Sequence, residues 1–180
     1  MQNTYEVDIS SRVEALPIIK LNEKLAIAFL NLNGNQVLTE HCANVLAEKI
    51  GDVDVVVTAE SKGIALAHAI AKCLNHDNYV VARKSKKLYM SNALETTVNS
   101  ITTKGEQKLY MLQSDIAFVK NKRVAIVDDV ISTGASLKAI QDLVAKAGGT
   151  VIKSLAVLAE GDAATRKDIE CLATIPLFSQ

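Results

Sequence analysis

Runs of consecutive apolar, mostly β-branched residues recur along the chain, with helically spaced stretches between most of them. The runs are VDVVVT (Val53–Thr58), YVVAR (Tyr79–Arg83), VAIV (Val124–Val127) and VIKSLAVLA (Val151–Ala159). A strand with one face in water alternates apolar and polar residues, so a continuous apolar strand has to be covered on both faces. The covering helices show in the spacing. Leu38, Cys42, Val45, Leu46 and Ile50 share one helical face, with Thr39 placed to cap. From about Gly63, Ile64, Ala67, Ala71 and Leu74 line another. Leu137, Ile140, Val144 and Ala147 form a third helix, stopped by Gly148-Gly149. The pattern predicts an α/β fold: a parallel central sheet with helices on both faces, closed by a short strand at Ile175–Phe178. At 180 residues the chain is one domain, 1–180. Such sheets bind ligands at the carboxyl ends of their strands.

Charge excludes some partners. Lys plus Arg number 20 and Asp plus Glu number 20, so no whole-molecule field points to nucleic acid or an anionic membrane. Any anion site has to be a local cluster. The N-terminus MQNTYEVDIS lacks the apolar core of a signal peptide, and no apolar run is long enough for a bilayer. Cys42, Cys73 and Cys171 are far apart, and His41, His68 and His76 show no ligand spacing. The expectation is a soluble, cytoplasmic protein with reduced cysteines and no nucleic-acid or membrane partner.

One segment breaks the rhythm. From about 85 to 112 no helical period occurs; ETTVNSITT is β-branched, KGE offers a turn at Gly105, and QKLYML returns. This predicts a two-stranded arm with little core of its own, either a functional lid or an ornamental hairpin or subunit contact.

Three strand ends carry chemistry. In VAIVDDVISTGAS, Ser132, Thr133 and Ser136 and several backbone N–H groups stand at the start of a helix, where the dipole favours phosphate. Gly134 lets the backbone approach a ligand. Neither GxxxxGK[ST] nor GxGxxG occurs. Asp128 and Asp129 would repel phosphate but accept hydrogen bonds from hydroxyls, so the pair and the loop together describe a site for a sugar phosphate. Acid pairs of the response-regulator kind are the structural rival, and they lack the hydroxyl and glycine run. The other two are TAESKG (Thr58–Gly63), again leading from a strand into a helix, and ARKSKKL (Ala82–Leu88), with Arg83, Lys84, Lys86 and Lys87. Alone, each basic group reads more readily as solvated surface.

VAIVDDVISTGAS resembles the phosphoribosyl-pyrophosphate (PRPP) signature of the type I phosphoribosyltransferases. The resemblance runs from about Pro17 to the C-terminus, and within the purine branch it is strongest to the adenine enzymes. It implies adenine plus PRPP giving AMP plus pyrophosphate, a purine-salvage reaction, with a xanthine or hypoxanthine/guanine enzyme, or a PRPP-sensing regulator on the same fold, as alternatives. It implies that Asp128 and Asp129 hold the ribose, and that Ser132, Thr133, Gly134, Ala135 and Ser136 hold the 5′-phosphate. Glu60, Ser61, Lys62 and Gly63 match a pyrophosphate-binding turn held by a cis peptide, with Glu60–Ser61 the matching bond. Arg83, Lys84 and Lys87 match the RKxxKL segment, and Lys62, Arg83 and Lys87 would stabilise the departing pyrophosphate. Residues 1–35 would form a hood over the base. Ile18, Ile19 and Lys20 are candidate base contacts, with Ile18 and Ile19 equally readable as core, and Ala159 and Glu160 would border the base pocket. Mg²⁺ is the implied cofactor, carried by PRPP and water without direct protein ligands, and a homodimer the implied assembly. The lid departs from the adenine pattern: Thr103 stands where those enzymes carry a glutamate, with Glu106 just beyond, and the stretch also resembles the xanthine enzymes.

Overall fold

The computed structural model describes residues 4–98 and 107–179. Its centre is a five-stranded parallel sheet formed by β4 (Val55–Ala59), β5 (Val80–Ala82), β8 (Arg123–Ile131), β9 (Thr150–Glu160) and β10 (Glu170–Ile175), in the order β10-β9-β8-β4-β5. The continuous apolar runs have the expected cause. Val56, Ala125, Val127, Leu155 and Val157 point into one core, against Leu38, Cys42, Leu46 and Ile50 of α1 (Gln36–Ile50) and Leu66 and Ile70 of α2 (Ile64–Cys73). Their neighbours Val55, Val57, Val124, Ile126 and Ala156 point into the opposite core, against Leu137, Ile140, Leu143 and Val144 of α4 (Ala135–Lys146). Alternation along each strand serves two apolar layers.

Several local expectations are corrected. Asn35 caps α1, its side chain accepting from Leu38 N–H; Thr39 lies inside the helix, buried, with Oγ1 donating to Asn35 O at 2.7 Å. On α2 the buried face is Leu66, Ala67, Ala69, Ile70 and Ala71, while Ile64 and Leu74 are half-buried. A short helix, α3 (Gln113–Val119), follows the arm without an apolar period, since Val119 is its one buried residue. The strand expected at Ile175–Phe178 is the junction of two: Ile175 ends β10, and Phe178 begins β11 (Phe178–Ser179). Pro176, with no N–H to donate, stands between them as the chain passes from one sheet to another.

That other sheet is antiparallel, ordered β1 (Thr4–Asp8), β2 (Val13–Lys20), β3 (Leu25–Ala28) and β11. It is built mostly from the segment expected to form the hood.

The arm is an antiparallel pair, β6 (Leu94–Val98) and β7 (Gln107–Met111), joined to the end of β5 by two bonds between Arg83 and Tyr110 backbones, both 2.8 Å. Its turn, with Thr103, Lys104, Gly105 and Glu106, lies outside the described residues. The described part has more core than expected. Val98, Leu109 and Met111 are buried with the α4 side chains, and Lys146 of α4 donates to Glu95 O at 2.7 Å. Leu109→Ala should therefore destabilise the domain by about 2–5 kcal/mol, read from the urea midpoint. A loss under about 0.5 kcal/mol would mean that the arm hangs free of the core.

Candidate active site

β4 has β5 on one side and β8 on the other. Chain leaving β4 and chain leaving β8 therefore part at their carboxyl ends and open a crevice, the place where open α/β sheets take ligands.

From β4 the chain enters a turn in which Glu60–Ser61 is cis, the form the resemblance implied. Gly63 then opens α2. A Cβ on Gly63 would lie 2.2 Å from Thr58 Oγ1 and 3.2 Å from Asp128 Oδ1. The turn comes this near the acid pair because residue 63 has no side chain. Ser61 is exposed and borders a groove between α1 and α2, lined also by Leu32, Glu40, His68 and Tyr79.

On β8 the ladder to β9 continues past Val127 through Asp128, Val130 and Ile131. The carboxylates thus belong to the strand itself. Asp129 is buried, and its N–H donates to Asp128 Oδ1 at 2.9 Å. Lys62 Nζ reaches Asp129 Oδ2 at 2.6 Å. Burial and the neighbouring charge of Asp129 push the Asp128 carboxyl well above the usual carboxylate range, against the pull of Lys62.

The loop after β8 leads into α4 through Gly134, which is left-handed at φ +78° and supplies no capping side chain. Ala135 N–H reaches Thr133 Oγ1 at 3.4 Å. Glu160 stands at the end of β9 and is 7% exposed. Burial raises its carboxyl, while Ser132 and Lys62 oppose the rise. Ala159, beside it, is fully buried.

The basic segment begins at the end of β5. Arg83 Nη1 donates to Glu60 Oε1 and the Lys84 N–H to Glu60 Oε2, each at 2.8 Å, which ties this segment to the cis turn. Burial would raise the Glu60 carboxyl, but these donors outweigh it and hold it below its ordinary value. Lys84, Lys86 and Lys87 stand exposed.

The structure thus brings Glu60, Lys62, Gly63, Arg83, Asp128, Asp129, Ser132 and Glu160 together. Ile18, Ile19 and Lys20 are on β2, where Ile18 is half-buried and the other two exposed. Among the described residues no hydrogen bond or ion pair joins them to the acid pair. The hood reaches the site by residues that sequence reading missed. Lys62 Nζ lies 5.1 Å from the centre of the Phe29 ring and 3.5 Å from Leu30 O. Arg166 was missed as well: its guanidinium lies against Gly134. Phe29 had one weak signal, an aromatic within the apolar run Leu25–Leu30; Arg166 had none. Thr103 and Glu106 fall outside the described residues.

An open helix N-terminus beside three carboxylates and a lysine can take a ligand that carries both phosphate and hydroxyl groups. The family profile described as phosphoribosyl transferase domain matches residues 30–177. The chain belongs to the phosphoribosyltransferase family. It is similar to xanthine phosphoribosyltransferase 1 of Clostridium perfringens, 31% identical over 153 residues, 84% of this chain and 76% of that one. It is also similar to adenine phosphoribosyltransferase of Thermosipho africanus, 34% identical over 116 residues, 63% of this chain and 64% of that one. In fold it matches the crystal structure of the Giardia lamblia adenine enzyme complexed with 9-deazaadenine, with TM-score 0.69, 19% identity, and coverage of 96% of this chain and 93% of that one. A purine phosphoribosyltransferase fold is therefore in place, and the family profile begins at Leu30, after the first three hood strands.

Two outcomes follow from this geometry. Gly63→Ala should abolish the site's ligand binding while the fold persists, and adding Thr58→Ala, which removes the atom at 2.2 Å, should restore part of it. No gain in the double variant would show that Thr58 is not the obstacle. The raised Asp128 carboxyl favours the folded state below the unfolded value of about 3.9, and that contribution is lost as pH rises through the folded value. Asp128→Asn should then gain thermal midpoint over the wild type increasingly from pH 4 to pH 8. A difference constant with pH would mean that Asp128 carries no buried-charge penalty.

Proposed function

We propose that this purine phosphoribosyltransferase is of the adenine type, joining adenine to PRPP to give AMP and pyrophosphate in purine salvage. The observation that carries the reading is the crevice between β4 and β8, where a lysine-clamped acid pair stands next to the open end of α4. The 5′-phosphate sits on Ser132–Ser136, and Asp128 and Asp129 accept hydrogen bonds from the ribose hydroxyls. Glu60–Gly63, Arg83, Lys84 and Lys87 receive the pyrophosphate. The bond from C1 of the ribose to the pyrophosphate oxygen breaks with its electron pair leaving on that oxygen, whose charge Lys62, Arg83 and Lys87 stabilise. N9 of the base bonds to C1 from the opposite face, and its ring proton ends on the pyrophosphate product. The arm excludes water.

Mg²⁺ fits as a passenger of PRPP. Among the described residues no three His, Cys, Asp or Glu side chains are grouped to hold a metal, and Asp128 and Asp129 are the carboxylates that would face it through water. Bound, it supplies charge neutralisation for the pyrophosphate. We also place the protein in the cytoplasm as a homodimer. Among the described residues no helix is long and apolar enough to cross a membrane. Leu88, fully exposed, and Tyr89, 68% exposed, adjoin the basic segment, apolar surface that a second copy would cover.

The adenine assignment is supported by the stretch from AVLAEGD to IPLF, which resembles the adenine enzymes. A 6-oxopurine is the second reading, supported by the longer alignment to the xanthine enzyme. Adenine presents a ring acceptor and an amine donor where 6-oxopurines present a ring N–H and a carbonyl, and each unmatched buried group costs about 1–3 kcal/mol. In competition among adenine, hypoxanthine, guanine and xanthine, adenine should show the highest kcat/KM, and Asp128→Asn and Asp129→Asn should each strongly weaken PRPP use. A preferred 6-oxopurine would overturn the adenine assignment and keep the reaction class. Tight PRPP binding with no turnover on any base would indicate a PRPP sensor.

A further inference from the structure

Between β9 and β10 the chain runs through a 3-10 turn (Gly161–Thr165) and reaches Arg166. Asp168 holds that guanidinium on one edge: Nε donates to Oδ1 at 2.9 Å and Nη2 to Oδ2 at 2.6 Å. The third nitrogen, Nη1, is the one not engaged by Asp168. It lies against the loop that opens α4, 2.0 Å from where a Cβ on Gly134 would stand. Gly134 therefore meets two demands at once, a left-handed φ of +78° and space for a cation.

The surrounding charges give that cation a task. Ile131, Ser132, Thr133, Gly134, Ala135 and Ser136 include no basic residue. The neighbouring strand ends carry Asp128, Asp129 and Glu160, all negative when ionised. Lys62 is engaged by Asp129 and Arg83 by Glu60. A phosphate dianion on the loop would face these carboxylates with the helix dipole alone to offset them. Asp168, the partner of Arg166, is well exposed, its side chain 58% accessible against 30% for the arginine, so water can hydrate it if the arginine turns to another anion.

We infer that Arg166 is the cation that binds the 5′-phosphate of the sugar substrate at the Gly134 loop, with Asp168 the anion it exchanges for that phosphate. This rests on the PRPP reading above, and adds a residue that the signature motif does not contain. Arg166 supplies a planar pair of donors to a phosphate, and so sets affinity for the 5′-phosphorylated sugar rather than for pyrophosphate.

The test measures ribose 5-phosphate and pyrophosphate binding separately by calorimetry, alongside steady-state kinetics with PRPP. Arg166→Gln should weaken ribose 5-phosphate binding and raise the KM for PRPP by about tenfold or more. Pyrophosphate affinity and kcat should stay within about twofold, and Arg166→Lys, which keeps the charge, should recover part of the loss. Asp168→Asn separates binding from bracing. It should leave ribose 5-phosphate affinity equal or tighter, because a competing anion is gone, whereas a structural brace would fail as Arg166→Gln does. A wild type that binds ribose 5-phosphate no better than Arg166→Gln, or an Asp168→Asn as weak as Arg166→Gln, overturns the inference. A wild type that binds neither ribose 5-phosphate nor PRPP overturns it together with the PRPP reading.

Discussion

Two carboxylates on consecutive residues of one strand repel each other, and with Asp129 buried and Asp128 half-buried, water screens them only in part. Asp128 and Asp129 nevertheless stand side by side, with Lys62 Nζ 2.6 Å from Asp129. An ammonium at that range offsets much of the repulsion, and losing one partner of such a pair leaves an uncompensated charge. Lys62 comes from the turn after β4, so the ion pair couples the exits of the two strands that flank the crevice. The same ammonium faces Phe29 and Leu30 O. One cation thus links sheet, acid pair and hood.

Close approach is the second constraint. Gly63 brings the first turn against Thr58 and Asp128, and Gly134 admits the Arg166 guanidinium to the second loop. In both places the volume of a missing side chain is occupied by a polar group from elsewhere in the fold. The loops are shaped by what packs against them as much as by their own torsions.

Around these loops the fold is stiffened from outside. Glu60 binds the Arg83 side chain and the Lys84 backbone, and Arg83 exchanges backbone bonds with Tyr110 of the arm. The arm in turn shares the core of α4 through Val98, Leu109 and Met111. A displacement of the arm would therefore be felt at Glu60, and through it at the turn that carries Lys62.

The parallel sheet, the three long helices, the two-stranded arm and both crevice loops were legible in the sequence. Each rests on residues close together in the chain: apolar runs, helical spacing, a glycine beside hydroxyls. Where neighbours in the chain were a poor guide, the expectation slipped. Thr39 looked like a cap because it precedes an apolar period, but Asn35 was better placed to meet the free N–H of Leu38. Pro176 split an apparent single strand between two sheets. The short α3 had no apolar stripe to reveal it. What the sequence determined by itself was the class of fold and the presence of an acid pair beside an anion-binding loop, because both are written in contiguous patterns. Tertiary structure decided that Lys62 pairs with Asp129, that Phe29 of the hood meets that lysine, and that Arg166 covers Gly134. Each of those contacts joins residues more than thirty positions apart, and no local period or propensity encodes which distant side chain will share a crevice.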